Sequence, residues 1–382
     1  MDFNFSQEQQ QFSDALRRWV DKDYTFEQRK HLALAPGGFS EPAWSTLAEL
    51  GMMALPVPEA QGGFAGTAVD MLVVMQEIGR GLVIEPYLAT VMGAEFLKLA
   101  GGKEALLEQV ASGELRLACA LGEKQARHDL SDILTTAKAD GDGDGFILNG
   151  TKTVVVHGGQ AGMLIVSARS SGAQRDTAGI SLLVVPTDAP GITLRDYRTI
   201  DSQHAADITF ANVKVPASAL LGAAGAGWDI LDAAADYGAT LLCAEALGAM
   251  EALNAATLDY LKTRQQFGVP IGKFQALQHR MADMFMHVEQ ARSMATLAAV
   301  KVGSSDATER RRTVSAAKAR IGQAMKFVGQ QAVQLHGGMG VTNELPAAHH
   351  FKRLTMIELT LGDTDHHLAR FIAQPGFRGA DA

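Results

Sequence analysis

The stretch that decides the fold of this chain spans residues 260–284 and reads YLKTRQQFGVPIGKFQALQHRMADM. On both sides of it, apolar side chains recur near helical spacing, which is typical of helices that bury one face. These side chains are Leu241, Leu247, Met250 and Leu253, then Met281, Met284 and Val288, and finally Ala317, Ile321, Met325 and Val328. The sequence therefore predicts long helices whose Met- and Ala-rich stripes form the core of a helical bundle.

Two further zones precede this one. Residues 6–118 show helical spacing after the capping residue Ser6, for example at Phe12, Leu16 and Val20. From about residue 119 short runs rich in β-branched residues alternate with turn signals, and no long helical pattern interrupts them. This order predicts an α+β multidomain chain with helical residues 1–118, a β domain at 119–225 that is an antiparallel barrel or sandwich, and helical residues 226–382.

Composition excludes several classes of protein. The 382 residues carry a net charge of −8 without blocks of like charge, so we expect neither nucleic acid nor an anionic membrane as partner. Cys119 and Cys243 lie far apart in apolar surroundings and are expected to be buried free thiols. We recognise no signal peptide at the N-terminus and no transmembrane stretch, and we expect a soluble, cytoplasmic protein.

Two apparent metal motifs fail on inspection. Asp140–Gly145 resembles the start of a calcium loop, but its twelfth position is Thr151 where a bidentate Glu is required. Alternating Asp and Gly between strand patterns instead predict a hairpin turn. The adjacent histidines at 349–350 and 366–367 point in different directions on a helix, so we predict no metal site.

A second unusual stretch, QLHGGMGVTNELP at residues 334–346, follows the first and is itself followed by Arg353. In this order and spacing the two stretches resemble the acyl-CoA dehydrogenase family of flavoproteins, and the likeness extends over nearly the whole chain. It implies an N-terminal α-helical domain, a middle antiparallel β-barrel and a C-terminal four-helix domain. It also implies a dimer-of-dimers tetramer that holds FAD at a subunit interface.

The residues of these stretches suit a flavin dinucleotide. Arg264 offers a bidentate fork for the pyrophosphate, and Phe267 offers an apolar face. The amides of Gln275 and Gln334 provide hydrogen bonds, and Gly337 and Gly338 let the backbone approach a diphosphate closely. The resemblance further implies that Thr364 and His366 line the flavin pocket.

The resemblance implies a reaction as well. In the family a carboxylate removes the α-proton of an acyl-CoA thioester, the β-hydrogen leaves as hydride to the flavin, and a 2-enoyl-CoA is formed. Most members then pass electrons to an electron-transfer flavoprotein.

The chain departs from the family pattern where the active site is expected. Counting from Arg353, the usual catalytic Glu is replaced by Gly362, and the alternative base position of some members is Gly238, followed by Ala239 instead of Arg. Val154–Val156 replace the Trp-Ile-Thr that shields the flavin, and Gly122–Asp129 keep only the Glu and the Asp of the substrate-side loop.

Three hypotheses follow. The first is a dehydrogenase subunit paired with a related, Glu-bearing chain in a heterotetramer. The second is a self-sufficient homotetramer with a relocated base, for which Asp363 is the nearest carboxylate. The third is a flavin-binding scaffold that performs no dehydrogenation.

Overall fold

The structure is a computed structural model, and it describes residues 5–35, 37–141 and 144–376. Its first third is helical, as the periodicity predicts. The helices are α1 (Gln7–Asp23), α2 (Phe26–Leu32), α3 (Glu41–Glu49), α4 (Ala68–Gly81), α5 (Tyr87–Ala100) and α6 (Glu104–Ala111). The predicted role of Ser6 is confirmed: its hydroxyl accepts the backbone N–H of Gln9, whose side chain accepts the N–H of Ser6.

The middle zone forms one sheet. Its strands are β1 (Leu117–Ala120), β2 (Thr136–Ala139), β3 (Gly145–Val156), β4 (Met163–Arg169), β5 (Ile180–Pro186), β6 (Ile192–Arg198), β7 (His204–Pro216) and β8 (Leu220–Leu221). They lie in the order β6-β7-β3-β2-β4-β5-β8, and β1 also pairs with β4. Alternating side chains such as Leu164, Leu183 and Ile208 are fully buried on one face.

Two details of the expected antiparallel barrel need correction. Strand β4 pairs in parallel with both β1 and β2, so the sheet is mixed. Among the described residues the order ends at β6 and β8, so these strands form an open sheet and not a closed barrel. The hairpin predicted at Asp140–Gly145 is present, because Ala139 pairs with Phe146 and the N–H of Asp140 donates to Gly145 O at 3.0 Å. Residues 142 and 143 of that motif lie outside the described residues.

The last zone returns to helices. It contains α7 (Trp228–Thr263), the short strands β9 (Gln265–Gln266) and β10 (Val269–Pro270), and then α8 (Gln275–Lys301), α9 (Ala307–His336), α10 (Pro346–Leu359) and α11 (Thr364–Ile372). The described part of this zone thus holds five helices where four are expected. Helix α7 is long and apolar enough to cross a membrane, but 67% of its most apolar segment is buried in the protein, as in a core helix.

The chain divides into two compact units that do not follow chain order. One contains residues 5–30, Ala68–Val83 and 239–376, and the other contains residues 31–67 and 84–238 with the gaps given above. In the first unit α4 crosses α7 with backbone in direct contact. A Cβ on Gly248 would lie 1.8 Å from Gln76 O, and one on Gly79 would lie 1.9 Å from Glu245 O. Only glycine permits this reciprocal approach.

Candidate cofactor and substrate sites

The turn between α7 and α8 presents its side chains to solvent. Strands β9 and β10 pair as a two-residue hairpin, with Phe267 at φ +55° and Gly268 at φ +78° between them. The Phe267 side chain is 89% exposed, and its ring meets Phe274 edge to face at 6.0 Å. An aromatic side chain held this far out on a short hairpin is expected to pack against a ligand or a partner.

Arg264 holds the base of this hairpin with its backbone. Its N–H donates to Tyr260 O and its carbonyl accepts the N–H of Ile271, both at 2.8 Å. The side chain is exposed, and within the described residues its guanidinium has no hydrogen bond or ion pair. The Arg264 guanidinium is therefore available to bind an anion.

A second open turn follows α9. The helix ends at Gly337, whose φ is +60°, and a Cβ at Gly337 or at Gly338 would meet nothing of this chain within 4 Å. Gln334 is exposed one turn before the helix end. The ring of Tyr260 lies 4.5 Å from that of His336, so the helix end that precedes Arg264 packs against the helix end that precedes the glycines.

These residues fit FAD by the chemistry of their donors. A free guanidinium, an exposed aromatic ring, an exposed amide and two glycines facing open space meet the needs of the dinucleotide's pyrophosphate and ring. Gln275 is exposed at the first position of α8, on the helix that begins beside Phe274. The structure thus brings Arg264 and Phe267 to one turn and Gln334, Gly337 and Gly338 to another, which the Tyr260–His336 contact joins.

Thr364 and His366 lie in a different setting, at the start of α11. The Thr364 side chain is buried, and its hydroxyl and backbone N–H both donate to one Glu358 carboxylate oxygen, at 2.9 and 3.0 Å. His366 is half-buried and meets His367 edge to face at 5.2 Å. Thr364 therefore already has an internal acceptor, and its predicted contact with the flavin stays a prediction.

The turn between α10 and α11 is where the family's base is expected. Leu361 and Gly362 both adopt positive φ, +54° and +104°. A Cβ at Gly362 would lie 2.6 Å from Cδ2 of His366 and 2.7 Å from Nε2 of His367, so a side chain there would have to displace the histidine rings and would be strained at this φ. The nearest carboxylate, that of Asp363, caps α11 by accepting the N–H of His366 at 2.8 Å.

The buried side chain of Lys318, on α9, stabilises this turn through hydrogen bonds. Its Nζ donates to the carbonyls of Ile357, Glu358 and Gly362 at 2.8–3.1 Å, and its side chain is 1% exposed. Burial lowers the pKa of Lys318 to about 8. Sequence reasoning missed Lys318, since a Lys in a helical pattern carries no signal of its burial.

The alternative base position offers no carboxylate either. Gly238 and Ala239 are both buried in the middle of α7.

In the second unit, the two stretches that depart from the family pattern lie side by side. The N–H of Thr153 donates to Gly122 O at 2.9 Å. Glu123 and Lys152 form a buried ion pair at 2.8 Å, and the Glu123 carboxylate also accepts the N–H groups of Leu134 and Thr135. Burial would raise the pKa of Glu123, but the charge of Lys152 and the hydrogen bonds outweigh it and lower the pKa to about 2. The surviving Glu is thus a structural group.

Comparison with known proteins agrees with this geometry. Family models for the N-terminal, middle and C-terminal domains of acyl-CoA dehydrogenases match residues 6–114, 118–213 and 225–374. The chain belongs to the acyl-CoA dehydrogenase family. It is 31% identical over 376 residues to the probable acyl-CoA dehydrogenase YngJ of Bacillus subtilis (strain 168), covering 96% of this chain and 97% of that protein.

Two solved structures are similar to nearly the whole chain. An FAD complex of PigA superposes with a TM-score of 0.88 at 26% identity, covering 99% of this chain and 100% of the other. A chain of the ChsE4–ChsE5 complex from Mycobacterium tuberculosis gives 0.87 at 26% identity, covering 97% of each chain.

As a member of the acyl-CoA dehydrogenase family, this flavoprotein uses FAD, and the predicted cofactor is confirmed. Family membership also implies an oxidoreductase that acts on a carbon–carbon single bond. The individual FAD contacts at Arg264, Phe267, Gln275, Gln334 and the two glycines stay predictions that the geometry supports.

Proposed function

We propose that this chain is a subunit of an FAD-dependent acyl-CoA dehydrogenase that lacks the usual catalytic Glu and works beside a related subunit that carries one. The observation that carries the proposal is the α10–α11 turn. It has no carboxylate at residues 360–362, and Asp363 is committed to capping α11. The residues predicted to bind the dinucleotide at the turns after α7 and α9, in contrast, are present and exposed.

The chain's own residues have a defined task in such an enzyme. When bound, FAD supplies the acceptor for the hydride that leaves the β-carbon of the acyl thioester. Arg264 would neutralise the charge of the pyrophosphate, and Phe267 would pack against apolar surface of the dinucleotide. The side chain of Gln334 and the backbone of Gly337 and Gly338 would form hydrogen bonds with the pyrophosphate. The proton from the α-carbon requires a carboxylate that we place on the partner subunit.

The proposal includes a finer assignment. Glu85–Tyr87 and Leu361–His367 resemble the small subunit of pimeloyl-CoA dehydrogenase, and a tetramer of two related chains would then place FAD at subunit interfaces. The likeness to a chain of a two-component complex supports a heteromeric assembly. We further propose an acyl-CoA substrate, an electron-transfer flavoprotein as acceptor, a role in fatty acid metabolism and a cytoplasmic location.

The test is to purify the chain alone and after co-expression with a homologous subunit that carries Glu at the base position. We expect the chain alone to keep its flavin oxidised when acyl-CoA is added without oxygen, and the complex to lose its visible flavin absorbance. A Glu→Gln change in the partner is the control and should abolish bleaching. Bleaching by this chain alone would contradict the proposal.

The second candidate is a self-sufficient enzyme with Asp363 as base, and a substitution at Asp363 tests it. Asn caps helices as well as Asp does, so Asp363→Asn is expected to preserve folding. Under our proposal it leaves the activity of the complex unchanged, whereas a catalytic Asp363 would make the variant inactive. If no partner confers bleaching on the wild-type chain, the flavin-binding scaffold remains as the third candidate.

A further inference from the structure

Helix α2 has one buried side chain, and that side chain is charged. Of residues Phe26–Leu32 only Arg29 is buried, with 1% of its surface exposed. A helix of seven residues is marginal on its own, so its stability depends on the contacts that it makes. Arg29 Nε donates to Leu82 O, just after α4, at 3.0 Å, and Arg29 Nη1 lies 2.9 Å from Nδ1 of His349 on α10. The groups that accept hydrogen bonds from Arg29 therefore determine where α2 docks.

His349 can accept from Arg29 in only one protonation state. A guanidinium only donates, so Nδ1 of His349 must be the unprotonated acceptor. Nε2 of the same ring lies 3.2 Å from Asn343 O, and because a carbonyl only accepts, Nε2 carries the proton. The two contacts together require the neutral imidazole. Burial and the neighbouring cations, Arg29 foremost, lower the pKa of His349, so the ring is neutral at pH 7.

Asn343 belongs to the segment that connects α9 with α10, residues 337–345, which we call the cofactor turn. It contains the two glycines that are predicted to approach the pyrophosphate. Helix α10 holds Asn343 at two points, since His349 Nε2 donates to its carbonyl and Lys352 Nζ donates to its Oδ1 at 2.8 Å. A continuous series of hydrogen bonds thus runs from Arg29 of α2 through His349 to the cofactor turn.

We propose that Arg29 and His349 are positioning residues that couple FAD binding at the cofactor turn to the docking of α2. The inference rests on the proposed function for the place of FAD at this turn. A dinucleotide bound there would hold Asn343 O against His349 Nε2, and the ring would then keep Nδ1 directed at Arg29. Because a coupling free energy is reciprocal, a docked α2 favours FAD binding as much as FAD favours the docking of α2.

The first experiment measures hydrogen exchange of the α2 amides at residues 29–32 with and without FAD, using the enzyme with its partner subunit if the chain needs one. In the wild type FAD should slow this exchange about tenfold. In His349→Leu, FAD should no longer slow the exchange and should bind about tenfold more weakly. His349→Gln, whose amide can donate to Asn343 O and accept from Arg29, should restore both, which a loss of packing alone would not predict.

His350→Leu is the matched control, because His350 is a buried histidine on the same helix whose Nδ1 has no hydrogen-bond partner among the described residues. It should keep wild-type FAD affinity and wild-type protection of α2 by FAD. An equal loss of FAD affinity in His350→Leu and His349→Leu would overturn the inference.

Arg29→Met tests the series from its other end, on a helix that carries none of the predicted FAD contacts. It should weaken FAD binding about as much as His349→Leu does, and the double variant should lose no more than either single one, because both act in one series. Wild-type FAD affinity in Arg29→Met and in His349→Leu would overturn the inference. Neither measurement requires turnover, so a complex that binds FAD but is not bleached by acyl-CoA would instead contradict the proposed function.

Discussion

At the scale of single residues, the informative positions are those whose polar groups are already satisfied. Glu123 survives from the family's substrate-side loop, but its carboxylate accepts Lys152 and two backbone N–H groups inside the sheet. Asp363 is a helix cap, and Thr364 donates to Glu358. Residue type alone made all three plausible site residues, and the structure shows that each already has a hydrogen-bond partner within the chain.

The buried pair of Glu123 and Lys152 leads to a prediction. Glu123→Gln leaves a buried Lys without its counter-charge and should lower the free energy of unfolding by about 3–5 kcal/mol. The double variant Glu123→Gln/Lys152→Met should lose much less, because no unpaired charge remains. Urea unfolding of the single and double variants measures the difference, and equal losses in both would contradict it.

The same pair gives a pH dependence. The folded pKa of Glu123 is about 2 and its ordinary value is 4.5, so the stabilisation is present above pH 4.5 and is lost as the pH falls towards 2. Wild-type protein should lose stability in that window relative to Glu123→Gln.

At the scale of elements, the two open turns carry the cofactor chemistry. Each follows a long helix, and each contains glycine at positive φ with space around it. The local sequence predicts both turns. It does not predict the contact of Tyr260 with His336 that joins them.

Arg264→Lys tests the first turn. A Lys keeps the charge but loses the planar fork, so FAD should bind about tenfold more weakly while the thermal midpoint of the FAD-free protein stays the same. Arg280→Lys, an exposed arginine on α8, is the matched control and should retain wild-type flavin content. Similar flavin loss in both variants would count against a specific contact.

A substitution of Lys318 tests how much its hydrogen bonds stabilise the α10–α11 turn. Lys318→Met removes the ammonium group that donates to three carbonyls and should lower the free energy of unfolding by about 1–3 kcal/mol at neutral pH. The folded pKa of about 8 lies below the unfolded value of about 10.4, so between these values the unfolded wild-type chain binds more protons. Wild-type stability should therefore rise with pH over that window relative to Lys318→Met. Lys138→Met, at an exposed lysine, should follow the wild-type curve.

At the scale of the whole molecule, the described chain forms two compact units that cut across the linear order of domains. Residues Ala68–Val83 belong to the same unit as the C-terminal helices, and the reciprocal contacts of Gly79 and Gly248 show how closely α4 and α7 pack. The three-domain division at residues 118 and 225 stays a prediction about the chain's organisation.

Gly248→Ala tests this crossing. Its methyl group would overlap Gln76 O, so α4 and α7 must separate, and we expect a loss of about 1–3 kcal/mol or more in thermal or urea unfolding. Gly303→Ala, in an open turn with nothing within 4 Å, is the matched control and should change stability by less than about 0.5 kcal/mol. A wild-type midpoint for Gly248→Ala would mean that the helices can separate without cost.

The sequence by itself determined the order of helical, β and helical zones, the family, the cofactor and the two turns that suit a dinucleotide. All of these rest on periodicity and on motifs within a few residues of one another. Tertiary structure alone decided the mixed, open sheet, the glycine-mediated crossing of α4 and α7, and the burial of Lys318. These depend on contacts between residues far apart in the chain, such as those of Lys318 with carbonyl groups about 40 residues further on, which a local pattern does not predict.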